Sequence, residues 1–149
     1  MLQKLQKRKE SGFTIIEVLI VLAIAGLIML VVFLAVPALQ RNSRNTQRKG
    51  DVSSLLGAVS EYVNNNGGAL PTADTQVESL VKLGYYTTGE VTLAAGAQSA
   101  VGTTSEAVRI VTGAKCGTSG AAVAGSSRQI AAQYTYETSG GLAATCQDS

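Results

Sequence analysis

Few side chains in this sequence have the types and spacing that catalysis or metal binding requires. The 149 residues include no histidine, which removes both the usual general base near neutral pH and the commonest metal ligand. The glycine-rich stretches lack the lysine of a phosphate-binding loop, the carboxylates form no meaningful pairs, and no nucleophile has an identifiable base. The sequence therefore predicts no catalytic residues, no metal site, no cofactor and no enzymatic activity.

The two cysteines, Cys116 and Cys146, are the next residues with chemistry of their own. Their spacing fits no zinc or redox motif, so the prediction is one disulfide formed in an oxidising compartment, with two unpaired cysteines as the alternative. A disulfide that closes a loop of about 30 residues would stabilise a small domain by roughly 3–4 kcal/mol.

A single carboxylate, Glu17, stands at the front edge of an apolar run that extends from Val18 to Leu39 without a charge. A helix rises about 1.5 Å per residue, so this run is long enough to cross a hydrocarbon core of about 30 Å. Gly26 weakens the helix in mid-run, and Pro37 should kink or break it near the end. A carboxylate at the edge of a membrane span needs a partner or must become neutral, which makes Glu17 a candidate functional residue.

Three processing outcomes compete for this apolar run. It could stay as a signal-anchor, be a secretory signal peptide cut after Ala23-Ile24-Ala25, or be preceded by a cut between Gly12 and Phe13. The positive charges do not fix the orientation, because basic residues flank the run on both sides. They are Lys4, Lys7, Arg8 and Lys9 before it, and Arg41, Arg44, Arg48 and Lys49 after it.

The segment from Gly12 to Ile20, Gly-Phe-Thr-Ile-Ile-Glu-Val-Leu-Ile, resembles the class III signal of type IV prepilins: a short basic leader ending in glycine, then Phe-Thr, two apolar residues, a glutamate and a long apolar stretch. The resemblance covers residues 1 to 40. It implies that a prepilin peptidase cuts between Gly12 and Phe13 and methylates the new amine of Phe13. The leader has no apolar region of its own, so ordinary signal peptidase has no reason to cut there.

The resemblance also implies roles for residues within the apolar helix. Glu17 would pair with the Phe13 amine of a neighbouring subunit during assembly, and a pair within one chain, one helical turn apart, is the alternative. Gly26 and Pro37 would be points at which the packed helix unwinds or bends, the alternative being the glycine and proline that are common in any membrane helix.

A type IV pilin-like protein is a structural subunit, and the resemblance implies its partners and location. The precursor would sit as a single-pass protein in the inner (cytoplasmic) membrane, and an assembly platform with its ATPase would then extract it into a homopolymeric pilus on the cell surface. One alternative is a pseudopilin of a type II secretion or DNA-uptake system, which shares the same amino-terminal segment. Another is a membrane-anchored extracytoplasmic binding domain.

The rest of the chain predicts an α+β, pilin-like fold. Residues 1–12 form the basic leader, 13–40 the apolar transmembrane and assembly helix, 41–65 its amphipathic continuation, and 66–149 a globular head. One face of the continuation is apolar at helical spacing, which predicts packing on a small antiparallel sheet. That face consists of Val52, Leu55, Leu56, Val59 and Val63, and the sequence Asn-Asn-Asn-Gly-Gly ends the helix.

Arg41, Arg44 and Arg48 share one face of the predicted helix. Such a stripe could bind anionic headgroups or, in a fibre, DNA. A solvated or salt-bridged face is the favoured alternative, because no aromatic residues interleave the arginines.

The sequence of the head predicts one helix and three strands. A short helix is expected over residues 75–83, and strands over 107–112, 129–137 and 142–145. The last two strands flank Ser139-Gly140-Gly141, a hairpin signal. Three or four antiparallel strands on the helix would complete the head, with the disulfide fixing the last strand to it.

Overall fold

The computed structural model describes residues 12–87, 89–104 and 106–149. Contacts divide the chain into two compact units, with the boundary between Leu39 and Gln40. Residues 1–11 of the predicted basic leader lie outside the described residues, and only Gly12 of the leader is described. The removal of the leader stays a prediction.

The first element is a helix, α1, from Ile15 to Asn65. Its start follows Thr14, whose hydroxyl accepts the Glu17 N–H, and its end is set by Gly67 and Gly68, which have φ values of 65° and 93°. Glycine adopts this left-handed backbone at no steric cost, which is why helices commonly end there. The helix was predicted from residue 13 to about 65, and α1 continues through Pro37 without a break in its helical assignment.

Over its described residues, the second unit contains the carboxyl-terminal part of α1, a short helix and six strands, with all further elements between Asp74 and Asp148. The elements are α2 (Asp74–Glu78), β1 (Val91–Ala95), β2 (Val108–Thr112), β3 (Ala114–Cys116), β4 (Ala122–Ala124), β5 (Ile130–Thr138) and β6 (Gly141–Asp148). One sheet has the order β1-β2-β5-β6, and β3 pairs with β4 in a separate hairpin. The predicted α+β class is confirmed.

The sheet is not wholly antiparallel as predicted, because β1 runs parallel to β2. The pairs β2–β5 and β5–β6 are antiparallel, and the turn between β5 and β6 falls at Ser139 and Gly140, as the hairpin signal indicated. A parallel pair needs a crossover, and here the chain from Gly96 to Ala107 makes it, with no helix among the residues described in that range.

One face of the sheet packs on α1 and forms the main core. Val52, Leu55 and Val59 of α1 are fully buried against strand residues such as Ile110 and Tyr134. Each fully buried aliphatic side chain contributes roughly 1.5–3 kcal/mol relative to exposure. The predicted apolar face of the helix is therefore the face that meets the sheet.

The opposite face of the sheet is covered by the β3–β4 hairpin, which the sequence did not predict. Val111 and Ala131 of the sheet are buried against Ala114 and Ala122 of the hairpin. Both hairpin strands are only three residues long and rich in alanine, so they give no periodic signal. The second unit thus has three layers: helix, sheet and hairpin.

Candidate functional site

The amino-terminal end of α1 is closed by Thr14 and Glu17. The Thr14 backbone N–H and hydroxyl both donate to Glu17 Oε2, at 2.8 and 2.7 Å, and the Glu17 N–H donates to the Thr14 hydroxyl at 3.3 Å. This reciprocal arrangement is a capping box, in which side chains satisfy backbone N–H groups that the first helical turn leaves free. Glu17 therefore has donors within its own chain before any subunit partner arrives.

The predicted cleavage position precedes this cap directly. Gly12 and Phe13 are exposed, Phe13 with 87% of its surface accessible, and a Cβ built on Gly12 would meet no atom within 4 Å. A cut between them would leave the Thr14–Glu17 bonds intact, because it breaks only the peptide bond before Phe13. The Phe13 nitrogen belongs to a peptide bond in this chain, so its predicted pairing with Glu17 stays a prediction.

The apolar helix beyond Glu17 is exposed along its whole length within its own unit. Large apolar side chains from Ile15 to Leu39 keep between 40% and 81% of their surface accessible. The segment is long and apolar enough to cross a membrane, with a mean hydropathy of 3.3 over its best window. Gly26 and Pro37 lie within it, and a Cβ built on Gly26 would meet no described atom within 4 Å.

In the second unit, the side chain of Arg48 is the centre of a buried polar cluster. Its guanidinium is fully inaccessible and donates to Tyr85 Oη, to Glu106 Oε1 and, at 3.0 Å, to Glu137 Oε1. A further N–H donates at 3.4 Å to the Thr135 carbonyl. The Tyr85 ring stacks on the guanidinium, with 4.5 Å between the guanidinium carbon and the ring centroid. The cluster joins α1 to β5 and to two loops.

The cluster continues to the exposed side of α1 through Arg44 and Asn45. Arg44 forms a two-point ion pair with Glu137, its Nε lying 2.6 Å from Oε1. The Asn45 amide donates to the Glu137 carbonyl at 2.9 Å and accepts the Glu137 N–H at 2.7 Å. The pairing of β2 with β5 ends at Arg109 and Gln133, and at Glu137 the Asn45 amide makes the two backbone hydrogen bonds that a neighbouring strand would make.

These contacts shift the pKa values of charged groups in the cluster. The hydrogen bonds from Arg44 lower the pKa of Glu137, and the nearby charge of Arg48 adds to the effect. Burial by itself opposes the charge of Arg48, but the oxygens of Tyr85, Glu106 and Glu137 more than offset it, so the pKa of Arg48 is raised. Both arginines therefore stay charged and serve as salt-bridge partners, which is the favoured alternative for the predicted basic stripe.

Asp51 fastens the loop that carries Tyr85 to α1. Its carboxylate accepts the backbone N–H groups of Gly84, Tyr85 and Tyr86 at 2.7–3.1 Å. Tyr86 is thereby held in the core, where burial raises the pKa of its phenol. The neighbouring Tyr85 is only partly buried and packs against the same core.

The two cysteines are joined in a disulfide between β3 and β6. The Cα atoms of Cys116 and Cys146 are 5.6 Å apart, and the Cys116 N–H donates at 3.0 Å to the Asp148 carboxylate. The bond ties the hairpin layer to the last strand of the sheet. Over the described ranges, no group of three or more His, Cys, Asp or Glu side chains could hold a metal ion.

Several of these residues were not singled out from the sequence. For Thr14 the signal was present, since Thr-x-x-Glu before an apolar run is the pattern of a capping box. For Asn45 and Asp51 no sequence signal existed, because their partners lie 92 and 33–35 positions away.

Comparisons with known proteins agree with this amino-terminal segment. Residues 7–33 match the family described as the prokaryotic N-terminal methylation motif. Together with the long helix and small sheet, the match supports the class of type IV pilins and pseudopilins.

A known protein is similar to this chain over a longer stretch than the family motif covers. The type II secretion system core protein G of Pseudomonas aeruginosa is 33% identical over 78 residues, which are 52% of this chain and 54% of the relative. The alignment therefore spans about half the length of each protein. Among solved structures, none matches the chain significantly.

Proposed function

We propose that the chain is the precursor of a structural filament subunit that polymerises through its apolar amino-terminal helix. The observation that carries the proposal is the helical segment from Ile15 to Leu39, whose apolar side chains are exposed, whose one carboxylate is Glu17, and which a Gly-Phe pair precedes. A soluble protein does not leave such a surface uncovered, whereas a membrane and then a bundle of identical helices would cover it.

Processing would prepare the helix for assembly. A prepilin peptidase would cut between Gly12 and Phe13 and methylate the Phe13 nitrogen, placing a positive amine next to the Thr14–Glu17 cap. Glu17 Oε2 already accepts both bonds from Thr14, so Oε1 is the oxygen available to the Phe13 amine of a neighbour. In an apolar setting the amine and carboxylate are each costly alone, and pairing fixes the register of two subunits.

Burial of the helices would provide the driving force for the filament. Apolar surface removed from water contributes about 25 cal/mol per Å², so a bundle of these helices is strongly favoured once the subunit leaves the membrane. Gly26 and Pro37 are the positions at which we expect the helix to unwind or bend as subunits pack.

The comparison with a secretion protein favours one of the two forms of this function, a pseudopilin, over a surface pilin. The prediction of a surface pilus rests on the amino-terminal signal and the disulfide, both of which a secretion filament can share. The relative is a core protein of a type II secretion system, and this favours a pseudopilin of a secretion machine. Either form would use a prepilin peptidase, an assembly platform and its ATPase, and would start as a membrane-anchored precursor.

Location and partners differ between the two forms. A pilin would end as a homopolymer on the cell surface, and a pseudopilin as a shorter filament of the same subunits in the envelope. DNA binding receives little support, because Arg44 and Arg48 are engaged by Glu137, and Arg41 is the remaining member of the stripe.

The first test is the mass and amino-terminal sequence of the mature protein from its own cells, with and without the prepilin peptidase gene. A methylated Phe13 start that depends on the peptidase is expected. A start at Met1 or Gly26 in peptidase-positive cells would contradict the proposal.

A matched pair of variants sharpens this test. Gly12→Leu places a bulky side chain beside the scissile bond and should abolish processing, whereas Gly26→Leu, in the same chain but away from the bond, should be processed normally. Deletion of the gene then separates the two forms: loss of surface fibres indicates a pilin, and loss of protein secretion with fibres intact indicates a pseudopilin.

A further inference from the structure

The end of α1 carries a residue pair with chemistry of its own that filament assembly does not use. Asn66 follows the last residue of the helix and precedes Gly67, and this is the one Asn-Gly pair in the sequence. Both residues are exposed, and a Cβ built on Gly67 would meet no atom within 4 Å. Both reacting residues are therefore accessible to solvent base and water.

We propose that Asn66 is a site of spontaneous deamidation, a modification that requires no enzyme. The Gly67 backbone nitrogen, after losing its proton to solvent base, attacks Cγ of Asn66 and the side-chain nitrogen leaves as ammonia. The resulting five-membered succinimide is opened by water at one of its two carbonyls, which gives aspartate or isoaspartate at position 66. Amide bonds alone are exchanged, so no oxidant or cofactor is needed.

Backbone hydrogen bonding singles out Asn66 from its two neighbours. For Asn64 the attacking nitrogen would be that of Asn65, which lies inside α1, and for Asn65 it would be that of Asn66, which donates to the Tyr62 carbonyl at 2.9 Å. The Gly67 N–H has no hydrogen-bond partner among the described residues. Gly67 also lacks a side chain to obstruct ring closure, and its backbone is the most permissive of any residue.

One contact slows the reaction in the folded chain. The Asn66 side-chain amide donates to the Tyr62 carbonyl at 2.8 Å, which holds Cγ towards the helix. Fraying of the last turn would release it, and helix ends fray readily. Deamidation of Asn66 should therefore be slower in the folded protein than in the unfolded chain.

The product would weaken the end of α1. A carboxylate at position 66 cannot donate to the Tyr62 carbonyl, and it places a negative charge at the negative end of the helix dipole. The isoaspartate form also lengthens the backbone between two closing bonds, Gly68 N–H to the Val63 carbonyl at 2.8 Å and Ala69 N–H to the Asn66 carbonyl at 3.2 Å. Aged subunits should thus have a less stable last helical turn.

The experiment uses the full chain in detergent micelles, aged in mildly alkaline buffer and then digested for mass spectrometry, with isoaspartate methyltransferase labelling. Asn64 and Asn65 are controls within the same peptide. A backbone hydrogen bond protects each of their attacking nitrogens, so we expect Asn66 to be modified about tenfold faster. Unfolding the chain in denaturant should raise the rate at Asn66 further.

Two variants check the chemistry. Asn66→Gln, whose longer side chain must close a less favourable ring, and Gly67→Ala, whose methyl group obstructs ring closure but would meet no atom within 4 Å in the folded chain, should each reduce the isoaspartate signal while the chain stays folded, the alanine at some cost in stability from its left-handed backbone. Equal modification of all three asparagines in the folded chain, or an unmodified Asn66 in both folded and unfolded chains, would overturn the proposal. The result does not depend on the proposed filament function.

Discussion

Arg48 offers the sharpest test of the packing in the second unit. Replacing it with methionine keeps much of the aliphatic stem and removes the guanidinium from a fully inaccessible position. The Thr135 carbonyl then loses a donor, the Tyr85 ring loses its stacked cation, and Glu137 loses one of its two arginines. We expect unfolding of the chain in urea to become easier by about 2–4 kcal/mol.

The magnitude follows from what each partner loses. Removing one member of a buried ion pair typically costs about 3–5 kcal/mol, because the other charge is left without compensation. Here the cost should fall at the lower end, since Glu137 retains Arg44 and the Glu106 side chain is 46% accessible to water. The cation–π contact adds about 1 kcal/mol.

Arg44→Met is the matched control for this variant. Arg44 pairs with the same carboxylate, Glu137, but 42% of its side chain is accessible, and exposed pairs contribute about 0–1 kcal/mol. Near-UV circular dichroism of the five tyrosines can follow urea unfolding of the full chain in detergent. Equal losses of stability in the two variants would refute the reasoning that burial, rather than charge pairing alone, makes Arg48 important.

Three further predictions concern the pH response, a turn and the disulfide. Because Arg44 lowers the pKa of Glu137, the Glu137 carboxylate should contribute fully to stability above the ordinary carboxyl range, and this contribution should be lost as the pH falls through the lowered pKa of the folded state. In Glu137→Gln the acid side of a stability–pH curve should therefore be flatter, and an unchanged slope would contradict this. Ser119 has φ 56° and ψ 32° at the tip of the β3–β4 hairpin, so Ser119→Asn should stabilise by about 0.5–1 kcal/mol in urea titrations, and a loss of stability would count against the turn assignment. Replacing Cys116 and Cys146 with alanine should cost about 3–4 kcal/mol, measured against the oxidised parent; a difference below 1 kcal/mol, roughly, would show that the hairpin layer holds without the bond.

Local pattern was sufficient for the first half of the fold and for the amino-terminal segment. The apolar run, its single carboxylate Glu17 and the Gly12-Phe13 pair can be recognised from neighbouring residues alone. The apolar face of α1 follows from helical periodicity, and the stop after Asn65 follows from glycine. Each of these features depends on contacts within a few positions of the chain, which is why the sequence by itself determines them.

The tertiary structure decided how the strands pair and which of the arginines is buried. The parallel pairing of β1 with β2 and the β3–β4 layer depend on strand partners that no local pattern specifies. Likewise, three arginines at helical spacing look alike in the sequence, yet one of them, Arg48, is wholly buried because Glu106 and Glu137 arrive from 58 and 89 positions away. A charged side chain can be buried only where such distant partners converge, so its role was set by the fold and not by the helix that carries it.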